Sequence, residues 1–123
     1  MRAVICLLIL SIGVLAHAAD AADAADSMSA ESRKIEYLIA SIETLQGAQF
    51  IRNGTAYDGK HAADHLRLKL RNAGSRVVTA KDFIRLCASV SSVSGIPYQI
   101  RFADGRVVSS EAYLRQKLAE LER

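Results

Sequence analysis

The chain has 123 residues, half of them hydrophobic, with 16 basic and 13 acidic side chains and a formal net charge of +3. This length favours a single domain. A net charge this small is typical of an ordinary solvated surface, so it does not by itself indicate a nucleic-acid-binding protein. No CxxC pair or Cys/His cluster is present, which excludes the common structural zinc sites.

The N-terminus has the three parts of a secretory signal. Met1-Arg2 carries the positive charge, residues 3–16 are almost wholly apolar, and Ala16-His17-Ala18 is a small-x-small cleavage pattern. The apolar run is shorter than the ~20 residues of a spanning helix. We therefore predict a cleavable signal peptide over residues 1–18 and no membrane span in the mature protein.

Export has two consequences for partners and cysteines. It argues against nucleic acid as a partner, although the sequence pI is about 9.1. Cleavage would also remove Cys6 and leave Cys87 without an intramolecular disulfide partner. Cys87 lies in an apolar stripe and is predicted to be a buried, unreactive thiol.

In chain order, residues 19–32 begin with Ala/Asp repeats that have no apolar periodicity, which predicts a flexible lead-in. The domain is predicted over residues 33–123. Its first helix is expected from Arg33 to Gln46, ended by Gly47. An apolar stripe at helical spacing supports this helix: Ile35, Leu38, Ile39, Ile42 and Leu45.

A β-hairpin and two helices are predicted next. Asn53-Gly54 between two short extended runs indicates a type I′ turn. The second helix is expected over residues 60–73, with Gly74 after its end. Thr79 and Asp82 have the spacing of a capping box for a third helix, which is expected to reach Ser89.

A serine-rich loop over residues 89–95 leads into a second hairpin. Tyr98, Ile100 and Phe102 alternate with polar residues, which predicts one buried face. Asp104-Gly105 forms the predicted turn. The last helix is expected over residues 111–122, with Ser110 as its N-cap.

The predicted order is α-ββ-α-α-ββ-α, an α+β fold with about four helices and two β-hairpins. A two-stranded hairpin is marginally stable alone. We therefore expect the hairpins to join in one antiparallel sheet with the helices packed on it.

Four ordered segments carry a family resemblance: FIRNG (50–54), HLRLKL (65–70), TAKDFI (79–84) and ASVSSVSGIPYQI (88–100). Together they resemble the YfeK-like family of small exported bacterial proteins, a domain of unknown function, over roughly residues 33–118. The resemblance implies a periplasmic location. It implies no activity, cofactor or catalytic residue.

Basic residues dominate the middle of the chain, since residues 67–101 contain seven basic side chains and one acidic side chain. Such residues can bind a carboxylate or phosphate, and arginine does so bidentately. The alternative is a solvated surface with internal ion pairs such as Lys60–Asp64. The candidate anion-binding residues are His65, Arg67, Lys69, Arg71, Arg76 and Arg52.

Two further motifs were considered for chemistry. His61 and His65 share a helix face as half of a zinc site, but Ala62 occupies the general-base position of HExxH and no third ligand is evident, so no metal or cofactor is predicted. Ser91, Ser92 and Ser94 could cradle a ligand, although serines in such loops more often bond local backbone groups.

The resulting hypothesis is a periplasmic binding module. It would engage a protein or an anionic envelope component through the basic region from Arg67 to Arg76 and the serine loop. Replacing Arg67 and Arg71 with glutamate is then expected to abolish partner binding. The alternatives are a small hydrolase that uses His65 with a loop serine, which requires a Ser–His hydrogen bond, and a structural homodimer.

Overall fold

The structure is a computed structural model that describes residues 14–123. The predicted signal peptide lies mostly outside these residues, and its cleavage stays a prediction. In chain order the elements are α1 (Val14–Glu43), β1 (Gln49–Arg52), β2 (Thr55–Tyr57), α2 (Gly59–Ala73), a 3-10 turn (Gly74–Arg76), α3 (Ala80–Cys87), β3 (Gln99–Arg101), β4 (Val107–Ser109) and α4 (Ser110–Leu121).

The two hairpins form one antiparallel sheet in the order β2-β1-β3-β4, which confirms the predicted α+β fold. β1 and β3, the inner strands, join the hairpins. Phe50 lies opposite Tyr57 on one side and opposite Ile100 on the other. These three side chains therefore share one face of the sheet, the face that the helices cover.

The first hairpin has the predicted two-residue turn. Asn53 and Gly54 both have positive φ, at 51° and 78°, which is what a type I′ turn requires. The turn places Arg52 directly opposite Thr55. Since side chains alternate between faces along a strand, Arg52 projects from the same face as Phe50.

The core lies between this face of the sheet and the helices. α1 packs against α2, α3 and α4, and α2 packs against β1. Among the described residues, the eight largest side chains that are almost completely inaccessible to solvent form the centre of the core: Leu38, Ile39, Ile42, Phe83, Ile84, Cys87, Ile100 and Leu114.

The largest difference from the predicted elements is the start of α1. Instead of beginning at Arg33, the helix is already formed at Val14, the first described residue, so the predicted lead-in over residues 19–32 is helical. Alanine has the highest helix propensity, and a prediction from apolar periodicity alone does not use that property. Residues 19–29 are exposed, but the Glu31 carboxylate accepts a hydrogen bond from the Ala80 amide at 2.7 Å. Contacts of the domain thus begin before residue 33.

The helix ends agree with the sequence at some positions and differ at others. The Thr79–Asp82 capping box is present, and Gly74 follows α2 with a φ of 55°. The N-cap of α4 is Ser109 instead of Ser110, because the Ser109 hydroxyl accepts the Ala112 amide at 3.1 Å. Two helices end early, α1 at Glu43 instead of Gln46 and α3 at Cys87 instead of Ser89.

Gly59, the first residue of α2, lies against the end of α1. A Cβ atom at this position would come within 2.8 Å of the carbonyl oxygens of Ile42 and Glu43. Only glycine permits this approach without a shift of backbone, so it fixes the junction between α1 and α2. Within residues 14–123, no helix combines the length and apolar character that a membrane span requires.

Candidate functional site

A cavity of about 150 Å³ lies between α2, the end of α1 and the covered face of the sheet. Apolar side chains from α1, β1 and α2 contribute to its wall: Ile42, Phe50, Ala62 and Leu66. The polar residues at the cavity are Arg52, Tyr57, His61, His65, Tyr98, Gln99 and Ser110. The cavity therefore combines an apolar surface with a group of nitrogen and hydroxyl donors.

Helix α2, strands β1 and β2 and the residue before β3 bring most of these polar side chains together. His61 and His65 are one helical turn apart on α2, so they lie on one side of the helix. Arg52 and Tyr57 project from β1 and β2 toward that side. Tyr98 precedes β3 and is almost fully buried.

Arg52 contacts both α2 and β2. Its Nη1 lies 2.9 Å from His65 Nδ1 and 3.0 Å from Nε2, so it can donate to whichever ring nitrogen is unprotonated. Its Nη2 donates to the Tyr57 hydroxyl at 3.1 Å. The guanidinium also lies 5.0 Å from the centre of the Tyr57 ring, a cation–π distance.

Lys69 approaches the same group from the next turn of α2. Its ammonium donates to the Tyr98 hydroxyl at 3.1 Å and to the Val90 carbonyl at 3.0 Å. The Tyr98 hydroxyl lies 3.3 Å from His65 Nε2. We call Arg52, His65 and Lys69, together with the two tyrosines, the cation cluster.

His65 is the titratable group of the cation cluster near neutral pH. Partial burial lowers its pKa, and the positive charges of Arg52 and Lys69 lower that pKa further. A protonated ring would also have no lone pair to accept the Arg52 N–H. The lowered pKa favours the neutral form of His65, and the positive charge of the cluster is that of Arg52 and Lys69.

The cation cluster lacks a counter-charge within the part of the chain that the structure describes. No carboxylate there lies within 4.0 Å of the Arg52 guanidinium or the Lys69 ammonium, whereas seven other lysines and arginines have such a partner. A guanidinium has five N–H donors, but among residues 14–123 Arg52 finds acceptors only on His65 and Tyr57. The cluster has more donors than acceptors, which suits an anion.

The remaining basic candidates lie elsewhere on α2 and after it. Arg67 donates to Glu43 at 2.8 Å and lies 3.7 Å from Asp64, and the hydrogen bond to Glu43 is the main cause of its raised pKa. Arg71 is exposed, and Arg76 donates to its local Ala73 carbonyl. Among the described residues, these three make no hydrogen bond or ion pair with the cation cluster.

The serine loop binds the first hairpin. The Ser91 hydroxyl accepts from the Asn53 side-chain amide at 3.2 Å and from the Val93 and Ser94 amides. The Ser94 hydroxyl donates to the Asn53 side-chain oxygen. Ser92 is exposed. These contacts hold the loop and the turn beside Arg52, which favours the turn-forming interpretation of Ser91 and Ser94.

Two other kinds of site, a serine–histidine pair and a metal centre, lack the contacts that they need among residues 14–123. No serine hydroxyl there hydrogen-bonds His65, whose partners are Arg52 and Tyr98. His61 pairs with Asp58 at 2.7 Å, and no three metal-ligating side chains of the described segment are grouped for a metal ion. Cys87 is buried as predicted, and burial raises the pKa of its thiol.

Sequence analysis missed Tyr57 and Tyr98 as members of the site. Both could have been found from strand alternation. The two-residue turn at Asn53-Gly54 pairs Phe50 with Tyr57 and so places Arg52 and Tyr57 on one face. The alternation that predicts a buried Ile100 puts Tyr98 on that face as well.

Comparison with known proteins identifies the family. The model for the family of unknown function DUF5329 matches residues 29–122, so the chain belongs to this family. A curated relative, described as uncharacterized protein YfeK of Salmonella typhimurium strain LT2, is 40% identical over 68 residues. That match covers 55% of this chain and 57% of the relative. The search of solved structures found no match.

Proposed function

We propose that this protein is an exported, periplasmic binding module that engages an anionic group of an envelope component or partner protein at the cation cluster. The observation that carries the proposal is the charge balance there. Arg52 and Lys69 are joined through His65 and Tyr98, and no carboxylate of the described residues neutralises them.

The missing counter-charge of this arrangement supports a binding role. Arg52 and Lys69 are both partly buried, and within the described residues neither has a carboxylate partner. A bound carboxylate or phosphate would supply the missing acceptors through charge-assisted hydrogen bonds. Arg67 is less suited to this role because Glu43 already occupies its guanidinium.

Anion binding is linked to protonation of His65. The positive charges of Arg52 and Lys69 help to lower the pKa of His65 in the free protein. A bound anion offsets those charges and raises the pKa, so the bound state takes up protons more readily. Affinity for an anion is therefore expected to increase as the pH falls through the His65 titration range.

The binding proposal is tested by NMR titration of the protein purified from cells that express the full chain. Acetate and inorganic phosphate serve as probes, and the His65 ring signals report occupancy. We expect saturable shifts that Arg52→Gln removes and the exposed control Arg71→Gln preserves. Linear shifts equal in both variants would contradict an anion site at the cluster.

The location is tested separately, by cell fractionation and N-terminal sequencing. We expect the protein in the periplasmic fraction with Ala19 as its first residue, as the cleavage pattern at 16–18 predicts. A chain that keeps Met1 and remains in the cytoplasm would contradict export without affecting the binding proposal.

A further inference from the structure

We infer that the ligand of the cavity is a small monocarboxylic acid with a compact apolar body, whose carboxylate meets Arg52 and whose body fills the space against Ile42, Phe50 and Leu66. This inference rests on the proposed anion site and names its ligand class. It depends on three features of the cavity: its charge, its volume and its apolar surface.

The charge of the cavity wall fits one negative charge. Among the lining residues that the structure describes, Arg52 is the only permanent cation. Lys69 is outside the lining and contacts the site through the Tyr98 hydroxyl. One planar guanidinium pairs well with one planar carboxylate, whereas a phosphate dianion would leave charge facing apolar side chains, which is costly.

The volume of the cavity limits the size of the ligand. About 150 Å³ is available, and an apolar protein cavity of about this size can hold one benzene ring. A nucleotide or a sugar phosphate would extend beyond this space into solvent. A single ring or a short branched chain, with its carboxylate at the polar end, is the size that fits.

The apolar part of the cavity wall favours a ligand that has an apolar body in addition to its charged group. Ile42, Phe50 and Leu66 line the cavity but keep little surface exposed to water. The partly buried Ile51 and Ala62 also line it and add apolar surface that a ligand can cover. Filling this space with hydrocarbon removes apolar surface from water, at about 25 cal/mol per Å². Acetate has almost no such surface to bury, so it should bind more weakly than a larger acid.

The test is a calorimetric comparison of five probes on the purified protein: benzoate, acetate, benzamide, inorganic phosphate and N-acetyl-leucine. Benzamide keeps the ring without the charge, and N-acetyl-leucine imitates the C-terminus of a peptide. We expect benzoate to bind at least about tenfold more tightly than each of the others, a difference that one charge-assisted hydrogen bond or a buried ring can supply.

Two variants separate the polar and apolar parts of the interaction. Arg52→Gln should weaken benzoate about tenfold or more, with Arg71→Gln as the matched control. Ala62→Leu adds bulk at the cavity wall and should weaken benzoate while leaving acetate unchanged. Circular dichroism and thermal melting establish that each variant is folded.

The outcomes distinguish this inference from the proposed function. If acetate or phosphate binds as tightly as benzoate, in an Arg52-dependent way, the anion site stands and the apolar ligand class is wrong. If N-acetyl-leucine binds most tightly, the ligand is a peptide terminus and not a free acid. If benzamide equals benzoate, or if no probe binds, both the inference and the anion site are contradicted.

Discussion

The two sides of α2 carry similar basic residues but use them differently. On one side, Arg67 pairs with Glu43 and Asp64, and Lys60 pairs with Asp64, so each positive charge has a carboxylate of the fold. On the other, His65 and Lys69 meet Arg52 and two tyrosines with no carboxylate among the described residues. The paired side contributes to the surface between α1 and α2, and the unpaired side has capacity left for a ligand.

This difference shows that basic residues close together in the sequence need not lie on the same surface of the protein. Arg67 and Lys69 are two residues apart, yet a turn of about 200° around the helix axis separates their side chains. Counting basic residues along the sequence therefore includes Arg67, which is already paired with carboxylates. It also misses Arg52, which comes from strand β1.

The largest expected effect comes from breaking the junction that positions both sides of α2. Gly59→Ala places a Cβ atom within 2.8 Å of two backbone carbonyl oxygens at the end of α1. We expect a loss of about 1–3 kcal/mol in the free energy of unfolding, measured by urea denaturation. The exposed neighbour substitution Lys60→Ala serves as control. Equal stability of Gly59→Ala and wild type would show that the junction relaxes freely.

The next largest effect is expected from a direct comparison of double variants on the two sides of α2. The double variant Arg52→Gln/Lys69→Gln should lose anion affinity about tenfold or more, measured by calorimetry with benzoate. The double variant Arg67→Gln/Arg71→Gln should stay within about twofold of wild type, because these residues do not contact the cavity. If benzoate affinity fell in Arg67→Gln/Arg71→Gln and not in Arg52→Gln/Lys69→Gln, the anion site would lie in the region from Arg67 to Arg76.

The serine loop offers a smaller comparison within one segment. Ser91→Ala removes an acceptor that serves Asn53 and two backbone amides, and Ser91 is almost fully buried. The expected loss in unfolding free energy is about 1 kcal/mol. Ser92 is exposed, so Ser92→Ala should change it by less than about 0.5 kcal/mol. If both variants have equal stability, the Asn53 contacts do not stabilise the fold.

The smallest effect is the pH dependence that His65 produces. Its folded-state pKa is lowered, so the unfolded state binds more protons in acid. The contribution to stability is fully present above the unfolded pKa of about 6.5 and is lost as the pH falls from there toward the lowered folded value.

NMR titration of His65 checks the cause of this shift. Arg52→Gln and Lys69→Gln should each raise the His65 pKa, with the larger change in Arg52→Gln, because Arg52 is the stronger of the two charge effects. Arg67→Gln should leave it unchanged. An unchanged His65 pKa in all three variants would show that the two cations do not act on this ring.

Much of the fold follows from local sequence signals. The turn at Asn53-Gly54 and the Thr79–Asp82 capping box depend on chemistry within four residues, and both are present. The start of α1 was not predicted from such a signal, since the alanine-rich residues before Arg33 have high helix propensity but no apolar stripe. Glu31 also binds a residue 49 positions away, which no local pattern indicates.

The candidate site likewise combines residues that local spacing predicts with contacts that depend on distant parts of the chain. His65 and Lys69 were found together because helical spacing places them on one side of α2. The role of Arg67 could not be predicted, because its partner Glu43 is 24 residues away on α1. The contact of Lys69 with Tyr98 likewise joins positions 29 residues apart in the chain, which no local pattern indicates.

The most direct test of the central claim is chemical-shift mapping of the backbone and side-chain N–H signals during titration with benzoate. If the ligand binds on the unpaired side of α2, saturable shifts are expected at Arg52, Tyr57, His65 and Tyr98. The signals of Arg67 and Arg71 should not change. Shifts centred on Arg67, Arg71 and Arg76, or spread evenly without saturation, would contradict it.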